Sequence, residues 1–146
     1  MNRKKRFEIA AVVLADARKE NRDGKVVLVE GKRDVRALKN LGFTGEIVQL
    51  NRGWPVDKVV VWMFEKYQMP PIVLMDWDRT GGRLQKSIQS KFQSLDVLIP
   101  DEPRRTLSKA IRPDTLCVEA LNSLADYLLP LMQISDPEGG DLHPSL

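Results

Sequence analysis

Three acidic residues stand where a phosphate-handling site would need them. Glu30 closes the apolar run 26–29, and Asp76 and Asp78 follow the apolar run 72–75. Each run is continuous and rich in β-branched residues, the mark of a strand buried on both faces. In an open parallel sheet, ligands collect at the carboxyl ends of the strands, near the point where strand order reverses. If the order is 2-1-3-4, the first and third strands are neighbours, and Glu30, Asp76 and Asp78 meet at that point. Two unit charges about 5 Å apart, at an effective dielectric near 20, repel by about 3 kcal/mol. Three carboxylates therefore stay ionised together only around a cation, or one of them takes a proton. An all-oxygen ligand set favours Mg²⁺ or Mn²⁺ over zinc. The plainer alternative is that Asp76 and Asp78 shape a turn and cap the helix that begins near Gly82.

The elements that must position these acids alternate along the chain. Phe7, Ile9, Val12, Val13 and Leu14 mark an amphipathic helix over 6–19, broken at 21–24. The strand 26–29 leads into Val35, Leu38 and Leu41 at helical spacing, and Gly42 stands where that helix stops. A second strand is expected at 46–50, followed by a turn at 51–55. The helix stripe Val56, Val59, Val60, Met63, Phe64 and Tyr67 comes next. Pro70 and Pro71 precede the third strand, 72–75. Leu84, Ile88 and Phe92 mark a helix, and 95–99 a fourth strand closed by Pro100. Such alternation with short connections predicts an α/β fold: a four-stranded parallel sheet flanked by helices. Further on, Leu107 and Ile111 suggest a short helix, and 116–119 an edge strand or turn. Leu121, Leu124, Leu128 and Leu129 suggest a closing helix capped by Asn122 or Ser123. The expected organisation is a basic N-terminal helix (1–24), one α/β domain with a helical extension (25–134) and a flexible tail (135–146).

Composition narrows the function class. The chain has 146 residues, 42% hydrophobic and 29% charged, which suits one globular domain and one core. No apolar run reaches the roughly 20 residues that span a bilayer. The basic start Arg3, Lys4, Lys5, Arg6 leads into too short an apolar stretch for a signal peptide, so the expected location is cytoplasmic. The single cysteine, Cys117, excludes an internal disulfide and a cysteine-built zinc site. Net charge is only +3, but residues 79–112 hold eight Lys or Arg against three acids (+5), and residues 113–146 hold six acids and no Lys or Arg (−6). A basic working surface of that kind usually meets phosphate, although a solvated face with no partner has the same composition.

Taken together, Val26-Val27-Leu28-Val29-Glu30-Gly31-Lys32-Arg33-Asp34 resembles the first motif of the Toprim family, a strand ending in Glu-Gly. Ile72-Val73-Leu74-Met75-Asp76-Trp77-Asp78-Arg79-Thr80-Gly81 resembles the second, a strand ending in Asp-x-Asp with a glycine three residues on. The resemblance covers 25–100, about half the chain. It is nearest to the ribonuclease that matures 5S ribosomal RNA and to small stand-alone archaeal Toprim proteins. It implies a three-layer α/β/α domain with strand order 2-1-3-4. It also implies Asp76 and Asp78 as Mg²⁺ (or Mn²⁺) ligands, and Glu30 as a ligand or general acid/base. The expected function is Mg²⁺-dependent action on nucleic-acid phosphodiesters, RNA or DNA, of the nuclease or RNA-processing type.

Several family members are excluded. Thr80 stands where type IA topoisomerases carry a third acid, one cysteine cannot build the zinc module of a primase, and no phosphate-binding Gly-Lys-Ser/Thr loop is present for a nucleotide cofactor. Two other readings share the residues. A non-catalytic Toprim module would bind nucleic acid or a ribosomal or replication protein without cutting. Asp76-x-Asp78-x-Thr80 also spells the nucleophile motif of haloacid-dehalogenase phosphatases, but two strand–helix units precede it and no Asp-Asp pair follows.

Lys32, Arg33, Arg79 and Arg83 flank the acids at helix starts, where phosphate binds readily, and are the expected substrate contacts. Arg104, Arg105, Lys109 and Arg112 form a second basic stripe. Asp34 fits a helix-start acid better than an outer metal ligand. Trp54 and Trp77 fit packing better than base stacking. His143 is the only histidine, so proton transfer would fall to a carboxylate.

Overall fold

The computed structural model describes residues 1–141. His143 and the end of the expected tail lie outside the described residues. Three of the apolar runs form β1 (Val27–Val29), β2 (Ile47–Gln49) and β3 (Ile72–Val73). They pair in parallel in the order β2-β1-β3. Pairing continues past the strand ends: Leu74 N donates to Leu28 O at 2.9 Å, and Asn51 N to Glu30 O at 2.9 Å. Glu30 and Asp76 therefore leave the sheet side by side at the carboxyl ends of adjacent strands.

Successive strand residues point to opposite faces, and both faces are apolar. Val27, Val29, Ile72 and Leu74 pack with Phe7, Leu14, Leu38, Leu107 and Leu128 in one core. Those partners belong to or adjoin α1 (Arg3–Arg22), α2 (Lys32–Asn40), α5 (Glu102–Ile111) and α6 (Ala125–Ser135). Val26, Leu28, Val73 and Met75 pack with Val59, Met63, Ile88 and Phe92 in the other, under α3 (Val56–Lys66) and α4 (Arg79–Gln93). The result is helices on both faces of a parallel sheet, as continuous apolar strands require. No helix among the described residues is long and apolar enough to cross a membrane.

The expected fourth strand does not form. Within 95–99, Asp96 takes φ 61° and Val97 N bonds back to Phe92 O at 2.9 Å, so the segment turns off the end of α4 and joins no ladder. Side chains serve the β3 edge instead. Gln85 Oε1 accepts from Met75 N (3.2 Å), and Arg104 donates to Met75 O (3.1 Å) and Asp76 O (2.7 Å).

The C-terminal quarter also differs from the sequence reading. A 3₁₀ turn, Glu119–Leu124, precedes α6. Ser123 bonds to Ala120 O and Asn122 accepts from Asn40, so neither caps the helix. The start of the expected tail is tied down. Asp136 is buried, and its carboxylate accepts from Arg18 at 2.9 Å and from Arg22 at 2.7 Å.

Candidate functional site

Backbone hydrogen bonds at the strand ends set the site. Glu30 Oε1 accepts from Asp76 N at 3.0 Å, tying the end of β1 to the end of β3. Asp76 Oδ1 accepts from Val118 N at 2.8 Å. Asp78 is the N-cap of α4, its Oδ1 accepting from Gly81 N at 2.7 Å, so the capping alternative holds for that oxygen. Asp34 is buried and its Oδ2 accepts from Gly31 N at 3.0 Å, the helix-start role read for it. Gly81 has a packing reason: a Cβ there would overlap the Asp76 carbonyl, so only glycine lets α4 start this close to the strand end.

The arrangement leaves acceptors free. Glu30, Asp76 and Asp78 each use one carboxylate oxygen in a backbone hydrogen bond, and among the described residues the other oxygen has no protein donor. Among the described residues none of the three pairs with Lys or Arg within ion-pair distance. The electrostatic cost appears in the titration of Asp76 and Glu30. Burial, with the charges of Glu30, Asp34 and Asp78, pushes Asp76 up to about 7 against the pull of the Val118 N–H. Burial, aided by Asp78 and Asp34, also raises Glu30 against the Asp76 N–H bond. A cation at these oxygens would relieve that repulsion.

The donor set suits such an ion within limits. Glu30 and Asp76 line one open cleft of about 310 Å³ with Asp34, Asn51 and Glu119. Asp78 is exposed at the N-terminus of α4 and does not line it. Among the described residues no three acidic, His or Cys side chains converge on a single point. Mg²⁺ does not need three, since it keeps several waters and is commonly held by one or two carboxylates. Glu30 and Asp76 are the pair that fits, with Asp78 an additional negative charge beside them.

Of the expected phosphate contacts, Lys32 and Arg33 line the cleft and are exposed, Arg33 lying 3.7 Å from Glu119. Arg79 and Arg83 are exposed on the first turns of α4. The second basic stripe divides. Arg104 and Arg112 donate to the carbonyls of Met75, Asp76 and Trp77 and so hold the acid loop in place. With Arg105 and Lys109 they also line an adjoining cavity of about 600 Å³. Trp77 is buried and donates to Thr115 O, so packing is its role. Sequence reading missed Val118, Asn51 and Glu119. Val118 acts through its backbone N–H, which no side-chain pattern reports.

Comparison with known proteins gives relatives at the level of the whole domain. A UPF0292 protein of Thermococcus gammatolerans is 32% identical over 112 residues, covering 77% of this chain and 80% of its own. The chain belongs to the UPF0292 family. A UPF0292 protein of Pyrococcus abyssi is 30% identical over 118 residues (81% and 85% of the two chains). One from Methanosarcina barkeri is 28% identical over 127 residues (86% of each). UPF0292 relatives thus extend from Thermococcus and Pyrococcus to Methanosarcina. No protein-family model and no solved structure matches the chain.

Proposed function

We propose that this UPF0292 protein is a Toprim-type, Mg²⁺- or Mn²⁺-dependent enzyme acting on nucleic-acid phosphodiesters. The observation that carries the reading is the pair Glu30 and Asp76, joined at the ends of adjacent parallel strands, each with one carboxylate oxygen unclaimed. The order β2-β1-β3 supports it, because it matches the first three places of the Toprim order 2-1-3-4, with 95–99 in the sequence position of the fourth strand. Exposed cations stand on two sides of the acids: Lys32 and Arg33 at the start of α2, and Arg79 and Arg83 on α4. The Arg105 and Lys109 side of α5 continues that surface. Phosphates approaching the acids would be steered and oriented by these groups.

Asp76 would hold the metal through its free oxygen, and Glu30, whose other oxygen is committed to Asp76 N, would keep its free oxygen beside the metal for proton transfer. A bound divalent cation would supply stabilisation of the charge that grows on the phosphate. Glu30 would move the proton, since burial raises its carboxyl above the ordinary range and no histidine precedes His143. Arg104 would keep the Asp76 peptide in place, and Gly81 would keep α4 close enough for Asp78 to add its charge.

End-labelled RNA and DNA incubated with Mg²⁺ should give shortened products that vanish with chelator. Glu30→Gln should bind substrate normally and lose at least a hundredfold in rate, the usual worth of a positioned acid/base. A Glu30→Gln protein cutting at the wild-type rate would remove the proton-transfer role. No cleavage by wild type with any divalent metal would leave the non-catalytic binding module as the reading.

A further inference from the structure

A second feature lies on the β2 side of the acids, where the Proposed function uses nothing. Trp54, Trp62 and Tyr67 form a ladder of edge-to-face rings, with centroids 5.7 Å and 6.0 Å apart. Three cations lie over it. The Arg52 guanidinium is 4.5 Å from both tryptophan rings, Lys58 is 4.6 Å from Trp54, and Lys66 is 4.9 Å from Trp62 and 5.5 Å from Tyr67. The rings are half-buried, rooted in the core under α3, while all three cations are exposed. Among the described residues none of the three cations pairs with a carboxylate, although Asp57 of α3 pairs with Lys91 of α4.

Trp54, Lys58, Trp62 and Lys66 recur every fourth residue, which on α3 sets Lys58, Trp62 and Lys66 along one stripe. From Lys58 to Lys66 that stripe runs roughly 12 Å at the helical rise of 1.5 Å per residue. Trp62, Lys66 and Tyr67 line an open cleft of about 380 Å³ with Arg52, Glu46 and the edge strand β2, while Trp54 and Lys58 lie beyond its rim. Arg52 lines this cleft, and its neighbour Asn51 lines the carboxylate cleft and bonds to Glu30 O. The two clefts therefore adjoin through consecutive residues.

We infer that the Trp54–Trp62–Tyr67 ladder with Arg52, Lys58 and Lys66 is a stacking platform for unpaired bases, which makes the substrate of the adjoining site a single-stranded nucleic acid. The inference rests on the phosphodiester reading for the word substrate, and on the ladder alone for binding. Bases of a duplex stack on each other and offer only their edges, whereas an unpaired base can lie on an aromatic ring or an arginine plane. Lysines between the rings match a chain that alternates base and phosphate. Stacking tolerates any base, so the platform selects strandedness rather than sequence.

The test is titration of 12-nucleotide oligo(U) and oligo(dT), and of a duplex of equal length, at low salt with chelator present. Single strands should bind at least tenfold tighter than duplex and quench tryptophan fluorescence. Trp54→Ala and Trp62→Ala should each weaken binding at least fivefold, the lower end of what one stacked base contributes. Lys58→Glu with Lys66→Glu, at exposed positions outside the buried core, should weaken it and flatten its salt dependence. Duplex binding as tight as single-strand binding, or variants that bind like wild type, would overturn the platform, as would no binding to any oligonucleotide. Wild-type hydrolysis of bis(p-nitrophenyl) phosphate with Mn²⁺ is measured alongside. That ester reports the carboxylate site through a substrate with no nucleobase, so its failure counts against the phosphodiester reading and leaves the stacking result standing.

Discussion

Asp76→Asn is expected to lose metal-dependent turnover and yet to melt at a higher temperature than wild type at pH 8. Asp76 titrates near 7 in the folded protein against 3.8 as an ordinary carboxyl. A raised acid is a destabilising group wherever it is ionised. Its penalty is absent below about pH 4, grows as pH rises from 4 to 7, and is complete above 7. The full shift would correspond to about 4 kcal/mol, and water reaching this part-exposed group reduces that to about 1–2 kcal/mol. Asparagine keeps an oxygen for the Val118 N–H and carries no charge. The variant should therefore melt about 3–6 °C higher at pH 8, converging with wild type near pH 4. Mg²⁺ should raise the melting temperature of wild type at pH 8 and leave the variant unmoved. Equal melting of the two proteins at pH 8 would show that Asp76 carries no such penalty.

Arg18→Met should be strongly destabilising. Arg18 is only 2% exposed, and its guanidinium bonds to the Asp136 carboxylate, Asp136 O and Leu41 O. Gly139 leaves the space, since a Cβ there would overlap that guanidinium. Arg18→Met would leave Asp136 with Arg22 alone and would strip the buried carbonyls Leu41 O and Asp136 O of this donor, at about 1–3 kcal/mol for each group left unsatisfied. For a domain of this size the melting temperature should fall by on the order of 10 °C. The same carboxylate makes the fold acid-sensitive. Arg22 first, and then Arg18, hold Asp136 down to about 2. A depressed acid contributes stability that is present above its unfolded value and lost as pH falls from about 4 through 2, here at most about 2.5 kcal/mol. A wild-type melting temperature flat between pH 5 and 2, or an Arg18→Met protein as stable as wild type, would contradict this anchor.

What could be read without coordinates follows from how local each signal is. The runs 26–29 and 72–75 are apolar on both faces, so strand, burial and the position of Glu30 and Asp76 at the strand ends all follow from contiguous residues. The segment 95–99 carries a similar apolar pattern, but Asp96 in a left-handed conformation turns it away and Arg104 and Gln85 take over the edge. That exchange joins residues distant in sequence. Asp136 misled for the same reason: Asp, Pro and Gly read as a loose end, while its partners lie in α1. Asp78 was legible as an acid beside the site, yet which of its oxygens caps α4 depends on how closely Gly81 lets the helix approach. The Trp54, Lys58, Trp62, Lys66 repeat went unread, Trp54 being assigned to packing, because its significance needed Arg52 folded over the rings.

The most direct measurement on the carboxylate site is calorimetric titration of Mn²⁺ at pH 8 into wild type and into Asp76→Asn plus Asp78→Asn. Wild type should bind in the micromolar to millimolar range typical of an open, water-retaining oxygen site, and the double variant should give only heats of dilution. Equal heats from both proteins would contradict a cation held at the ends of β1 and β3.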